Sequence, residues 1–189
     1  MAVLYGVGVN ASRKEFLLAD LDDTRRLAHL VSSCVAAGDF VALSGELGAG
    51  KTQFVRELVR AMGSAERVTS PTFALINEYA AGSTVVRHVD AYRLDAAHEA
   101  EERGLAELLV DPMALVVCEW PERIVELVPK GALWLQLSRI DEGTEPGIDE
   151  GPDQLDGELR RRVAIWGPSE RVERIAAEFT AVGGAQVAP

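Results

Sequence analysis

The chain has 189 residues, 48% of them apolar, and its 30 acidic and 19 basic side chains give a formal net charge of −11. Such an acidic surface repels a phosphate backbone, so stand-alone nucleic-acid binding is disfavoured. The longest apolar run, residues 113–118, is far shorter than the ~20 residues of a membrane-spanning helix. The N-terminal residues lack the layout of a secretory signal, and two unrelated cysteines predict no disulfide framework, so we expect a cytoplasmic protein without membrane contact.

Helical and strand patterns alternate along the chain. Apolar spacing predicts a first helix over 22–37, with Asp22 or Asp23 as its cap. The remaining predicted elements are a strand over 40–44, a helix over 51–62, a hairpin of strands over 73–79 and 84–89, a helix over 95–110, a strand over 113–118, strands over 133–138 and 158–166, and a helix over 169–181. Residues 141–157 are rich in acids, glycine and proline, which predicts a mobile surface loop.

Residues 45–52 carry a nucleotide-binding signature. Their sequence, GELGAGKT, fits G-x-x-x-x-G-K-[ST] and lies between a predicted strand and a predicted helix. The glycines let backbone N–H groups turn toward phosphate oxygens, Lys51 supplies a cation for the β and γ phosphates, and the Thr52 hydroxyl is a ligand for Mg²⁺. The expected nucleotide contacts are Gly45, Glu46, Leu47, Gly48, Ala49, Gly50, Lys51, Thr52 and Gln53. We therefore predict an α/β protein, one P-loop NTPase-like domain over 1–189 with a mixed sheet and helices on both faces.

Two carboxylates follow predicted strands and are candidates to hold the metal. Glu119 follows the more apolar strand, so it is the preferred metal partner. Asp90 ends the strand over 84–89 and either shares the metal or orients the attacking water. His88 lies two residues before Asp90 on the same side of that strand and could orient it, although a core histidine is the favoured interpretation.

Thr69, Ser70 and Thr72 follow the P-loop helix and form a candidate switch. Hydroxyls there could sense the γ-phosphate through Mg²⁺, as switch segments do, or could belong to an ordinary Ser/Thr/Pro turn. Trp120 either stacks near the nucleotide or packs, with packing favoured.

Four sequence blocks together resemble one known family. They are SGELGAGKT (44–52), VTSPTFALINEY (68–79), HVDAYRL (88–94) and CEWPER (118–123). In this order they are similar to the blocks of the bacterial TsaE proteins, also called YjeE, the small ATPases of the tRNA threonylcarbamoyladenosine pathway. The resemblance implies ATP and Mg²⁺ as ligands, weak hydrolysis alone, and action on TsaD and TsaB partners, with tRNA involved only indirectly. It places the functional positions on Lys51, Thr52, Asp90 and Glu119, of which Lys51, Asp90 and Glu119 are the expected catalytic residues.

Two other functions compete with this interpretation. A P-loop kinase of a small metabolite would need an Arg-rich lid, and no such lid is evident. A guanine-nucleotide switch would carry an N-K-x-D motif, which the sequence lacks. No arginine finger can be assigned from the sequence, so Arg93, Arg123 or a partner's residue is left open.

Overall fold

A computed structural model describes residues 11–94, 104–140 and 160–187, and these residues build one eight-stranded sheet. The strands are β1 (Ala11–Leu18), β2 (Phe40–Ser44), β3 (Ile76–Ala81), β4 (Thr84–Asp90), β5 (Ala114–Glu119), β6 (Leu133–Arg139), β7 (Arg161–Pro168) and β8 (Ala185–Gln186). The helices are α1 (Leu21–Cys34), α2 (Lys51–Ala61), α3 (Leu105–Leu109) and α4 (Ser169–Ala181), and a 3₁₀ helix spans Pro121–Leu127.

The strand order is β3-β4-β5-β2-β6-β7-β1-β8, and the sheet is mixed as predicted. Strands β4, β5, β2 and β6 run parallel, whereas the remaining neighbours pair antiparallel. Parallel strands end at the same edge of a sheet. The register therefore sets Glu119 beside Leu43 of β2 on one side and beside Asp90 of β4 on the other.

Both faces of the sheet are covered, which confirms the predicted layers. One face packs against α1, α2 and α4, through side chains such as Leu27, Leu58 and Phe179. The other face packs against α3 and the 3₁₀ helix and includes Trp134 and Trp166, whose stacked rings lie 5.6 Å apart. Strand β5 is buried along its whole length, because both of its faces are covered. None of the helices in the described ranges has the length and hydrophobicity that a bilayer crossing requires.

The first helix begins earlier than its sequence pattern indicates. Its cap is Asp20, not Asp22 or Asp23, because the Asp20 carboxylate accepts a hydrogen bond of 2.8 Å from the Asp23 N–H. The Asp23 carboxylate reaches back to the Ala19 N–H, also at 2.8 Å. This reciprocal bonding satisfies two backbone donors and fixes the helix start.

Other boundaries shift or fall outside the described residues. The hairpin and its turn at Gly82 are confirmed, but β3 begins at Ile76 because Leu75 takes a positive φ of 65° and Phe73 is exposed. Strands β1 and β8 are absent from the prediction. Of the helix expected over 95–110, residues 95–103 lie outside the described residues, as does the acidic loop 141–157.

Candidate nucleotide-binding site

The P-loop connects β2 to α2 through backbone that only glycine adopts easily. Gly45, Gly48 and Gly50 have φ values of 141°, 79° and 99°. A Cβ on Gly50 would lie 2.8 Å from Arg161 Nε, whose guanidinium also donates to the Ala49 carbonyl at 3.1 Å. A Cβ on Gly45 would run into the Leu137 carbonyl oxygen. The glycines are therefore required both for the turn and for close packing on the sheet.

Replacing Gly45 by alanine is expected to lower the free energy of unfolding by about 2–5 kcal/mol, through backbone strain and steric overlap. Urea denaturation of the full chain measures this loss. Gly131→Ala is the matched control, because Gly131 has no positive φ and a Cβ there meets nothing within 4 Å. Equal, small losses in both variants would contradict the tight fit of the loop.

Lys51 begins α2 and is only 4% exposed. Its Nζ donates hydrogen bonds to the carbonyls of Gly45 at 2.7 Å and Glu46 at 2.9 Å, and lies 3.8 Å from the centre of the Trp120 ring. Burial lowers the pKa of Lys51 below its ordinary value, and nearby acids, Glu119 foremost, oppose that shift. The ammonium is thus held inside the loop, between backbone carbonyls and an aromatic face.

The P-loop helix is joined directly to the end of β5. Thr52 Oγ1 donates a hydrogen bond of 2.8 Å to Glu119 Oε1, and Glu119 is 3% exposed. The same oxygen lies 2.8 Å from His88 Nε2, which must donate since a carboxylate only accepts. A P-loop threonine and a strand-end carboxylate in contact are the protein groups that hold Mg²⁺ beside nucleotide phosphates in P-loop proteins.

The candidate switch is attached to the second carboxylate. Asp90 Oδ2 accepts hydrogen bonds from Ser70 Oγ at 3.0 Å and Thr72 Oγ1 at 2.7 Å, and Oδ1 accepts from the Tyr92 N–H at 3.0 Å. Thr69 bonds instead, through its backbone N–H and carbonyl, to the Tyr79 hydroxyl. Of the predicted switch residues, Ser70 and Thr72 therefore reach the site, whereas Thr69 holds the start of the segment through its backbone.

These groups surround a cleft of about 360 Å³. It is lined by Leu47, Gly48, Gly50, Lys51, Thr52, Gln53, Ser70, Thr72, Asp90, Tyr92, Glu119 and Trp120. Of the predicted nucleotide contacts, Gly45, Glu46 and Ala49 are not among these lining residues: the carbonyls of Gly45 and Glu46 accept hydrogen bonds from Lys51, and Ala49 is fully buried. The sequence prediction lacked Tyr92 and gave Trp120 mainly a packing role, although Trp120 contacts both Lys51 and Tyr92.

The donor set of the cleft fits a magnesium ion. Asp90 and Glu119 are buried side by side on neighbouring strands, where two like charges destabilise each other unless a cation lies near. The described residues contain no cluster of three or more His, Cys, Asp or Glu side chains able to hold an ion. Mg²⁺ commonly takes one or two carboxylates and completes its shell with water and substrate phosphates, so Thr52, Glu119 and Asp90 suit an ion that arrives with a nucleotide.

Comparison with known proteins gives one consistent family. The family model "Threonylcarbamoyl adenosine biosynthesis protein TsaE" matches residues 18–145. A Streptomyces coelicolor protein named tRNA threonylcarbamoyladenosine biosynthesis protein TsaE is 40% identical over 151 residues, which cover 78% of this chain and 92% of that protein. The protein of the same name from Rickettsia felis is 35% identical over 127 residues, covering 67% of this chain and 73% of that protein.

A solved structure has the same architecture. The crystal structure of Bacillus subtilis YdiB matches with a TM-score of 0.66 at 23% identity, covering 93% of this chain and 99% of that chain. At that identity the likeness shows the fold alone. Together with the strand–loop–helix around residues 45–52, it confirms the predicted P-loop NTPase-like α/β fold.

Proposed function

The chain belongs to the TsaE family of tRNA threonylcarbamoyladenosine biosynthesis proteins, and from this membership we propose that it is an ATP-binding, Mg²⁺-dependent ATPase subunit. In this proposal it acts on TsaD and TsaB partners in the cytoplasm and not on the tRNA base itself. The two cysteines, Cys34 and Cys118, are free thiols, which favours a reducing compartment.

The observation that carries the proposal is the hydrogen bond between Thr52 and Glu119 beside the buried ammonium of Lys51. It joins the P-loop to a strand-end carboxylate in a cleft with room for phosphates. A glycine-rich surface turn would need neither a buried lysine nor a buried glutamate, because both groups are costly to take out of water.

The residues of the cleft have separate roles in phosphoryl transfer. Bound Mg²⁺ would supply positive charge to the β and γ phosphates. Lys51 stabilises negative charge that develops on the transferred phosphoryl group, and the amides at the start of α2 add the positive end of the helix. Asp90, fixed by Ser70 and Thr72, is suited to accept a hydrogen bond from the attacking water and so to orient it.

Two features of the cleft support dependence on partners. The described residues that line it include no arginine, which favours an arginine finger supplied by another chain. Its rim carries large exposed apolar side chains, namely Leu47 (77% exposed), Phe73 (88%) and Tyr92 (44%). Neither Arg93 nor Arg123 is among the lining residues, and the Arg93 guanidinium packs on the Phe73 ring at 4.4 Å.

Nucleotide competition and product analysis test the proposal. We expect ATP to displace a bound fluorescent adenine nucleotide at much lower concentration than GTP. We also expect ATP to bind with full affinity only when Mg²⁺ is present. Hydrolysis should yield ADP and free phosphate, slowly for the chain alone and faster with TsaD and TsaB added. Preference for GTP would contradict the adenine assignment. Transfer of the phosphoryl group to a small metabolite would instead support the kinase alternative.

A further inference from the structure

A buried histidine lies directly behind the strand-end carboxylate. His88 of β4 is 0% exposed, and its Nε2 is 2.8 Å from Glu119 Oε1. Thr52 Oγ1 donates to that same oxygen from the opposite element, at 2.8 Å. Two donors from α2 and β4 therefore converge on one oxygen of Glu119, and no donor among the described residues binds Oε2.

The surroundings of His88 argue against a purely structural role. In the part of the chain that the structure describes, its Nδ1 is buried without a hydrogen-bond partner. An unpaired buried nitrogen destabilises a core, and an apolar side chain of similar size would pack there without that cost. The bond to Glu119, the single side-chain hydrogen bond of His88 among the described residues, is thus the feature that favours histidine at this position.

The bond is directed at Glu119 and not at the nearer carboxylate in sequence. Asp90 is already fixed by hydrogen bonds from Ser70, Thr72 and the Tyr92 N–H, without a bond from His88. Glu119 has three side-chain torsions. If a hydrogen bond already fixes its carboxylate, the side chain loses less conformational entropy when it binds a cation.

We propose that His88 is a positioning residue, which holds Glu119 with Oε1 toward Thr52 and leaves Oε2 for the cation or its water shell. This inference rests on the proposed function, because it assigns His88 to the Mg²⁺-dependent step of nucleotide binding. His88 contacts neither nucleotide nor metal; it acts through Glu119.

The test compares His88→Leu, which removes the donor, with His88→Gln, whose amide N–H reaches about as far as Nε2. Calorimetric titration with ADP, in EDTA and at a series of Mg²⁺ concentrations, gives the nucleotide affinity and the half-saturating Mg²⁺ concentration. We expect His88→Leu to raise that Mg²⁺ concentration by about 10-fold or more, since loss of a residue that orients a metal ligand commonly costs 10–100-fold. The affinity in EDTA should stay within about twofold of wild type, and His88→Gln should restore most of the Mg²⁺ response.

The controls separate failure of this inference from failure of the proposed function. His29→Leu, on the exposed face of α1, should leave both quantities unchanged. If the wild-type chain binds no nucleotide, the proposed function is wrong. If it shows Mg²⁺-dependent binding that His88→Leu retains, or if that variant weakens binding equally with and without Mg²⁺, the role of His88 is refuted. Should His88→Leu not fold, His88→Asn, whose amide is too short to reach Glu119, takes its place beside His88→Gln.

Discussion

Replacement of Lys51 by alanine is expected to lower ATP turnover by about 100- to 1,000-fold, the usual effect of removing one fixed donor to a developing oxyanion. Lys51 is the one cation among the residues that line the cleft in the described structure. Its charge cannot be replaced by solvent, because the side chain is buried between the loop carbonyls and Trp120. Steady-state release of phosphate from saturating Mg²⁺·ATP, with TsaD and TsaB present, measures the loss.

A matched control and a stability measurement complete this experiment. Lys130→Ala removes a lysine from the exposed surface and should leave turnover unchanged. Thermal unfolding should show that Lys51→Ala still folds, with a modest loss of stability because the carbonyls of Gly45 and Glu46 lose their donor. Near-normal turnover in Lys51→Ala would mean that the loop does not bind the phosphates that react.

Glu119→Gln should separate metal-dependent from metal-independent binding. The amide keeps the size of the side chain but removes the negative charge beside Thr52, so the half-saturating Mg²⁺ concentration should rise by about 10- to 100-fold. In EDTA the affinity for ADP should be unchanged or higher, because one of two carboxylates near the phosphates has lost its charge. Calorimetric titration at fixed Mg²⁺ concentrations measures both values.

The control for this variant is Glu126→Gln, an exposed glutamate on the 3₁₀ helix. It removes the same charge without touching the cleft, so it should bind nucleotide and Mg²⁺ as the wild type does. An equal loss of affinity with and without Mg²⁺ in Glu119→Gln would point to a structural role for Glu119, and the metal assignment would then be wrong.

The parts of the site that the sequence predicts correctly depend on neighbouring residues or on simple strand geometry. The P-loop and its flanking elements follow from residues 40–62 alone, because glycine, lysine and threonine at fixed spacing leave few backbone solutions. The meeting of Asp90 with Glu119 follows from two parallel strands that end at one edge of the sheet. Which atoms coordinate a ligand remains a prediction.

The sequence pattern does not predict strand β1, because charged residues interrupt its apolar alternation. Residues 13–15 are all charged, and only Phe16 and Leu18 of the strand are fully buried. Its place is fixed by long-range pairing, with Phe16 opposite Val163 of β7 and opposite Gln186 of β8. No local signal reveals such a partner, since the pairing residues are far apart in the chain.

The partner of His88 could not be read from its strand alone. Residues two apart on a strand share a side, which made Asp90 the natural partner. The bond to Glu119 depends on the register between β4 and β5, which sets Glu119 beside Asp90. Choosing between two nearby carboxylates therefore requires knowing the register of the two strands.

The attachment of Ser70 and Thr72 to Asp90 also has a mechanical consequence. Phe73, the next residue, projects from the molecule, and Arg93, three residues beyond Asp90, lies against its ring. If Asp90 shifts toward a cation, its two hydroxyl bonds either lengthen or carry Ser70 and Thr72 with it, and Phe73 is the residue next to Thr72. The exposed ring of Phe73 therefore lies one residue from a hydroxyl bond that holds Asp90, at a surface that a neighbouring protein can reach.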